Sequence, residues 1–172
     1  TQSAGRGRRG RTWLSPAGGL YLTASLPVDP TARPPIFGAV AGGLAVCDLL
    51  RESLALPAAL KWPNDVLAAG AKAGGMLVEE RDGLAVAGLG LNLDAAPDAE
   101  QLRPDAAVDA GILGLDDLGP LALWAAVLAS LAETFAWAAS LGAAEPLVAQ
   151  VQARLAWLGR RVAVGEARGT FL

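Results

Sequence analysis

The sequence predicts an α+β or mixed α/β domain, and three observations carry that expectation. Two apolar runs, residues 73–80 and 84–93, meet across Arg81-Asp82-Gly83 as the arms of a β-hairpin would. Apolar residues recur at helical spacing through 36–54, and again through 124–135 and 145–158. Strand signals gather in the first half and helical ones return after them, without the regular alternation that builds a parallel sheet. A length of 172 residues fits one domain, or one and part of a second, and 53% apolar residues suffice for a core. With aromatics at only 5%, alanine, leucine and valine must fill most of it.

The chain opens on Gln2 to Arg11, where Arg6, Arg8, Arg9 and Arg11 are interleaved with Gly5, Gly7 and Gly10. Guanidinium groups repel one another and glycine makes an ordered backbone costly, so this stretch reads as a mobile loop awaiting an anion. Trp13 to Pro16 forms a short bridge, Gly18-Gly19 a turn, and Leu20 to Leu26 a strand bounded by glycine and Pro27. The prolines from Pro27 to Pro35 require a loop. Ile36, Phe37, Val40, Leu44, Leu49 and Leu50 then mark a mostly buried helix, with Cys47 as a core residue.

Ala59 to Trp62 reads as the end of a strand stopped by Pro63, because the residue before proline is pushed to an extended conformation. Asn64-Asp65 supplies turn chemistry. In the hairpin that follows, glycines 74, 75, 88 and 90 leave bare backbone that a ligand can approach closely. Residues 94–119 lack a sustained period and suit a functional loop or a flexible one. Two helices follow, the second ended by Gly159, and Arg161 to Val164 starts another strand. The apolar run Pro120 to Ser140 keeps Glu133 within it and has no basic flank. It reads as a buried helix rather than a membrane span, which places the protein in the cytoplasm with no membrane partner.

Composition also excludes chemistry. With one cysteine and no histidine, the chain can build neither a Cys/His zinc site, nor a disulfide, nor a Ser-His-Asp triad. Proton transfer falls to Asp, Glu, Lys or Tyr. The net charge of −3 makes the basic character local. Among its 14 cationic residues only Lys61 and Lys72 are lysines, compact point charges rather than planar forks.

Four segments set polar groups in apolar or glycine-rich surroundings: the arginine loop, Lys61-Trp62-Pro63-Asn64-Asp65, Lys72-Ala73-Gly74-Gly75, and Gly88-Leu89-Gly90-Leu91-Asn92. No glycine-rich turn runs on into Lys-Ser or Lys-Thr, so a Walker loop is absent. Taken singly, each has an ordinary reading: a disordered or RNA-binding arginine-glycine tail, a surface lysine, a turn, a capping asparagine.

In their order and context, these segments resemble the biotin–protein ligase (biotin–[acetyl-CoA-carboxylase] ligase) family. Gly5-Arg6-Gly7-Arg8-Arg9-Gly10-Arg11, Trp13-Leu14-Ser15-Pro16, Gly19-Leu20-Tyr21, the two lysine motifs with Met76-Leu77-Val78-Glu79, and the Asn92 motif all match. The resemblance implies an α+β fold: a mixed β-sheet flanked by helices, like the class II aminoacyl-tRNA synthetases, over residues 1–158. Residues 159–172 would begin a C-terminal SH3-like barrel. It implies further that the chain starts after a family strand bearing a Ser/Thr-Asn biotin contact.

The implied activity joins biotin to ATP as biotinyl-5′-AMP and passes the biotinyl group to a lysine of the biotin carboxyl carrier protein of acetyl-CoA carboxylase. Arg8, Lys72, Lys61 and Asp65 would be catalytic. Gln2, Gly5, Arg6, Gly7, Arg8 and Lys72 would bind biotin, and Arg8, Lys61, Asn64, Asp65 and Asn92 the nucleotide. Mg2+ would arrive on the triphosphate, held partly by substrate oxygens rather than by an all-protein cage, and Asn64 and Asp65 would hold nucleotide or magnesium. A homodimer is among the implied partners, and DNA is one only where a further N-terminal domain supplies the contact. The alternatives are a lipoate or octanoyl ligase or transferase of the related fold, and an arginine-glycine RNA-binding segment on a non-enzymatic domain.

Overall fold

A computed structural model of the chain describes residues 1–27, 35–81, 83–102, 108–115, 119–164 and 166–171. The proline-rich loop at 28–34, Asp82 at the expected hairpin turn, and parts of the 94–119 segment lie outside the described residues.

The centre is a five-stranded sheet of order β1-β5-β4-β3-β2, built from β1 (Gly19–Pro27), β2 (Ala58–Lys61), β3 (Asp65–Ala68), β4 (Ala71–Arg81) and β5 (Leu84–Asn92). Every strand pair in it is antiparallel, and among the described residues parallel pairing enters only at the isolated bridges Leu60–Leu155 and Lys72–Ala110. The expected hairpin is β4–β5, with Met76 opposite Leu89 and Val78 opposite Ala87. β1 closes against the far side of β5, from Gly19 opposite Asn92 to Pro27 opposite Leu84. Strand β3 has no counterpart among the sequence expectations. Its four residues are too few to show alternation beside the Asn64-Asp65 turn signal.

Alternation gives the sheet two faces. Leu20, Leu22, Met76, Val78, Ala87, Leu89 and Leu91 are buried in the core with the helices. Helix α1 (Pro35–Asp48) lies against the sheet at Gly42 and Gly43. A Cβ on Gly43 would sit 2.6 Å from Leu60 Cδ1, and one on Gly42 would collide with the Met76 sulfur. Side chains at these positions would push the helix off the sheet. Helix α2 (Pro120–Ser140) starts with proline in its first turn and buries Leu123, Val127 and Leu131, while Ser130 Oγ donates to the Ala45 carbonyl at 2.9 Å. Each such leucine contributes roughly 1.5–3 kcal/mol by leaving water. Residues 121–140 are long and apolar enough to cross a membrane by length and composition, but one face of this helix is packed into the core.

Helix α3 (Glu145–Gln152) stops before the expected end at Leu158. The cause is the edge of the sheet. Leu60 N–H donates to the Arg154 carbonyl and Ala156 N–H to the Leu60 carbonyl, at 2.8 and 2.9 Å, so residues 154–156 cover the free edge of β2 instead of continuing the helix. Arg154 is held there by Asp48 at 2.6 Å and Glu52 at 3.3 Å. Strands β6 (Arg161–Val164) and β7 (Ala167–Thr170) then form a separate two-stranded ribbon. The strand expected from Arg161 to Val164 is thus β6 of this ribbon.

Candidate active site

The other face of the sheet carries a cleft of about 920 Å³. Gln2, Gly5, Arg6, Gly7, Arg8, Lys61, Asn64, Asp65, Lys72 and Asn92 all line it, so every residue singled out from the sequence meets there.

The arginine loop forms one wall. It folds as a narrow hairpin in which Trp13 N–H donates to the Gly5 carbonyl at 2.9 Å and Gly7 N–H to the Arg11 carbonyl at 2.7 Å. Arg9 and Gly10 turn its tip with φ of 58° and 71°. The expected unstructured loop is thus a hydrogen-bonded element, because Trp13 anchors its returning arm on the sheet. The indole lies over β5, where a Cβ on Gly90 would be 2.5 Å from Trp13 Cε2. Gly90 therefore serves an internal side chain rather than a ligand, and Gly74 does the same for Leu91. Only at Gly88 does the hairpin backbone stay open, with the Leu77 carbonyl 3.7 Å from an added Cβ. Gln2 Oε1 accepts from Ser15 Oγ at 2.8 Å, tying the start of the loop to its end.

The charged centre comes from β2, β3 and β4. Asp65, with its side chain 14% exposed, accepts from Lys61 Nζ through Oδ2 and from Lys72 Nζ through Oδ1, each at 2.7 Å. Lys61 faces Asp65 directly across the β2–β3 pair. Lys72 reaches it because the ladder slips between Val66 and Leu67: Val66 pairs with Gly74 and Leu67 with Lys72, leaving Ala73 unmatched. That bulge resets the alternation and brings Lys72 to the face of Gly75. Lys72 Nζ also lies 5.1 Å from the centre of the Trp13 ring. Burial pushes the Asp65 carboxyl up, but Lys72 and Lys61 outweigh it and hold the carboxyl below its usual range.

Two asparagines brace the lysines and arginine. Asn64 Oδ1 accepts from Arg8 Nη1 at 3.3 Å, and its Nδ2 donates to the Met76 carbonyl at 2.6 Å. Asn92, 2% exposed, donates from Nδ2 to the carbonyls of Gly111 and Lys72 at 3.0 and 3.4 Å. Its Oδ1 and the Trp13 Nε1 are buried without a hydrogen-bond partner among the described residues. The 108–111 stretch joins the site through backbone bonds, Lys72 N–H to Asp109 and Gly111 N–H to Lys72. That stretch falls within the segment read as a functional or flexible loop, whereas the role of Trp13 was not expected. The spacing of Gly75 and Gly90 opposite an isolated tryptophan was the available signal.

The arrangement sets two lysines on one deeply placed carboxylate and Arg8 on the neighbouring Asn64, in a cleft lined by further arginines, polar side chains and glycines. It suits a ligand that brings two anionic groups together.

A model of the biotin/lipoate A/B protein ligase family matches residues 1–94. The chain is 41% identical over 122 residues to the biotin–[acetyl-CoA-carboxylase] ligase of Mycobacterium tuberculosis, covering 67% of this chain and 45% of that protein. It is 37% identical over 184 residues to the ligase of the same name from Paracoccus denitrificans, covering 96% of this chain and 70% of that one. The biotin protein ligase from Aquifex aeolicus in complex with biotin and ATP shares the fold with a TM-score of 0.75 and 28% identity, over 98% of this chain and 72% of that chain. The chain thus spans less than half the length of the first of these relatives.

Proposed function

The chain belongs to the biotin/lipoate A/B protein ligase family, and on that premise we propose that its cleft activates biotin with ATP and passes it to a carrier-protein lysine. The observation that carries this reading is Asp65 set between Lys61 and Lys72 beside the Arg8 hairpin. In the first step a biotin carboxylate oxygen attacks the α-phosphorus of ATP, forming biotinyl-5′-AMP and releasing pyrophosphate. Two anions must approach, and unit charges ~4 Å apart in a partly dry site repel by about 4 kcal/mol. Fixed cations offset that repulsion and act most where charge builds in the transition state.

We assign Lys72 to the meeting point of carboxylate and α-phosphate, Arg8 to the phosphate oxygens, and Lys61 to the departing pyrophosphate. Asp65 holds the two ammonium groups at fixed positions before the substrates enter. We assign Gln2, Gly5, Arg6 and Gly7 to biotin and Asn64 and Asn92 to the nucleotide; all six line the cleft. In the second step the carrier lysine attacks the biotinyl carbonyl and AMP leaves. The attacking amine must shed a proton, for which Asp65 is the nearest carboxylate of the cationic cluster. The described residues include no group of three acidic, cysteine or histidine side chains able to hold a metal. Mg2+ enters this reading with the triphosphate substrate, held partly by its oxygens, with Asn64 and Asp65 as the side chains that would share it. Cytoplasmic location, a catalytic unit over residues 1–158 and a further unit beginning at 159 belong to the same proposal.

The test is ATP–pyrophosphate exchange with purified protein. Exchange should require biotin and yield a hydroxylamine-sensitive adenylate. Exchange that responds to lipoate and ignores biotin would move the assignment to the lipoate branch of the family. RNA binding that weakens steeply with salt, without any exchange, would remove the enzyme reading altogether.

A further inference from the structure

Asn64 stands between the two halves of the site. Its side-chain oxygen accepts from Arg8 Nη1 at 3.3 Å, its amide nitrogen donates to the Met76 carbonyl at 2.6 Å, and its own carbonyl accepts from Met76 N–H at 2.9 Å. The Asn64 carboxamide is thereby pinned to β4 on one side and turned to the arginine hairpin on the other. Among the described residues, this is the one side-chain hydrogen bond that ties Arg8 to the turn between β2 and β3. Arg8 otherwise rides on a hairpin whose backbone bonds are all internal, from Gly5–Trp13 to Arg11–Arg8. A long side chain on such a support carries several soft torsions, and a charge placed about 1 Å off its target is worth much less to a transition state. An asparagine suits the task because one end donates and the other accepts, so a backbone carbonyl fixes which end faces the arginine.

We propose that Asn64 is a positioning residue: it sets the Arg8 guanidinium for phosphate and acts through Arg8 rather than by holding the nucleotide itself. The proposal rests on the reading of the cleft as a biotin-activating site. Three expectations follow in the full-length protein. Asn64→Ala should lower kcat for biotin-dependent exchange by roughly 10- to 100-fold while KM for ATP stays within about threefold. Asn64→Asp, which keeps the acceptor for Arg8, should lose less than Asn64→Ala. Adding Asn64→Ala to Arg8→Ala should cost little more, since residues that act as a unit are not additive.

A rise in KM for ATP with kcat retained, or an Asn64→Asp variant worse than Asn64→Ala because its charge repels the phosphates, overturns the proposal in favour of direct nucleotide contact. Additive losses with matching falls in Tm overturn it in favour of a purely structural role. Nitrogen-15 spectra of the arginine side chains give a readout that needs no activity. Rotation of the Arg8 guanidinium should be slower in the wild type than in Asn64→Ala, and equal rotation refutes the pairing. If the wild type shows no biotin-dependent exchange, the functional assignment fails, and these spectra still decide whether Asn64 orders Arg8.

Discussion

The two faces of the central sheet are built from the same strands and obey different rules. On the helix face, Leu20, Leu22, Met76, Ala87 and Leu91 meet α1 and α2 through close packing, and no charge intervenes. On the cleft face, Lys72, Asp65 and Asn92 are held by directed polar contacts to partners on other strands and loops. One face therefore fails by losing volume, the other by losing geometry. Substitutions should separate the two: cleft-face changes act on turnover with little effect on stability, and helix-face changes do the reverse.

Lys72→Ala is the most severe test of the cleft face. Removing a fixed charge from the meeting point of two anions should lower adenylate formation on the order of 1000-fold, with Tm nearly unchanged because the side chain is 31% exposed. Near wild-type pyrophosphate exchange in this variant would show that Lys72 does not contact the reacting atoms. On the helix face, Leu60→Ala should destabilise by about 3 kcal/mol. Leu60 is fully buried and fills the space left by Gly43. Chemical denaturation measures this directly, and a loss below about 1 kcal/mol would mean that α1 settles into the gap.

Gly90→Ala joins the two faces. A methyl group there would meet the Trp13 indole at 2.5 Å, so the ring or the strand must shift. Overpacking of this kind costs about 1–3 kcal/mol, and displacing Trp13 should also loosen the arginine hairpin it anchors. Both stability and exchange activity should fall. A stable variant with lost activity would place the strain in the hairpin alone.

The difference between the faces also explains what the sequence disclosed. The helix face was legible because burial leaves a period: Leu20 and Leu22, Ala87 and Leu89, and Val127 and Leu131 repeat at strand or helix spacing, although Trp124, read into the same pattern, is exposed and Leu123 is buried in its place. The cleft residues have no period. Lys61, Lys72 and Arg8 stand out through whole motifs, and the arrival of Lys72 at Asp65 depends on a one-residue bulge at Ala73 that no local pattern announces. Trp13 went without a role because its partners, Gly75 and Gly90, are visible only across a gap of more than sixty residues. Helix α3 ends early for a similar reason, since the edge of β2 claims residues that still carry helical spacing.

Asp65 gives a subtler measure of the cleft face through pH. Its carboxyl is held below the ordinary value of 3.8, chiefly by Lys72 against the opposing effect of burial. A carboxylate whose folded pKa is depressed stabilises the native state fully above its unfolded pKa. That contribution is lost as pH falls through the folded value. Below 3.8, therefore, the wild type should lose stability that Asp65→Asn never had. Melting temperatures followed from neutral into acid should converge. Parallel curves would mean that the two lysines do not stabilise the charged form.

The smallest effect belongs to the outer side of α2. Leu121 is 76% exposed, although it starts a helix that carries Glu133 as its sole charge. An apolar side chain already in water contributes little, so Leu121→Gln should change stability by no more than about 0.5 kcal/mol and leave exchange untouched. The neighbouring Leu123 is fully buried and makes the internal contrast: truncation to alanine there should cost several times more. If Leu121→Gln instead destabilises as much as Leu123→Ala, the outer side of α2 is packed in the protein. The sheet-and-helix core then extends one layer further than these strands and helices define.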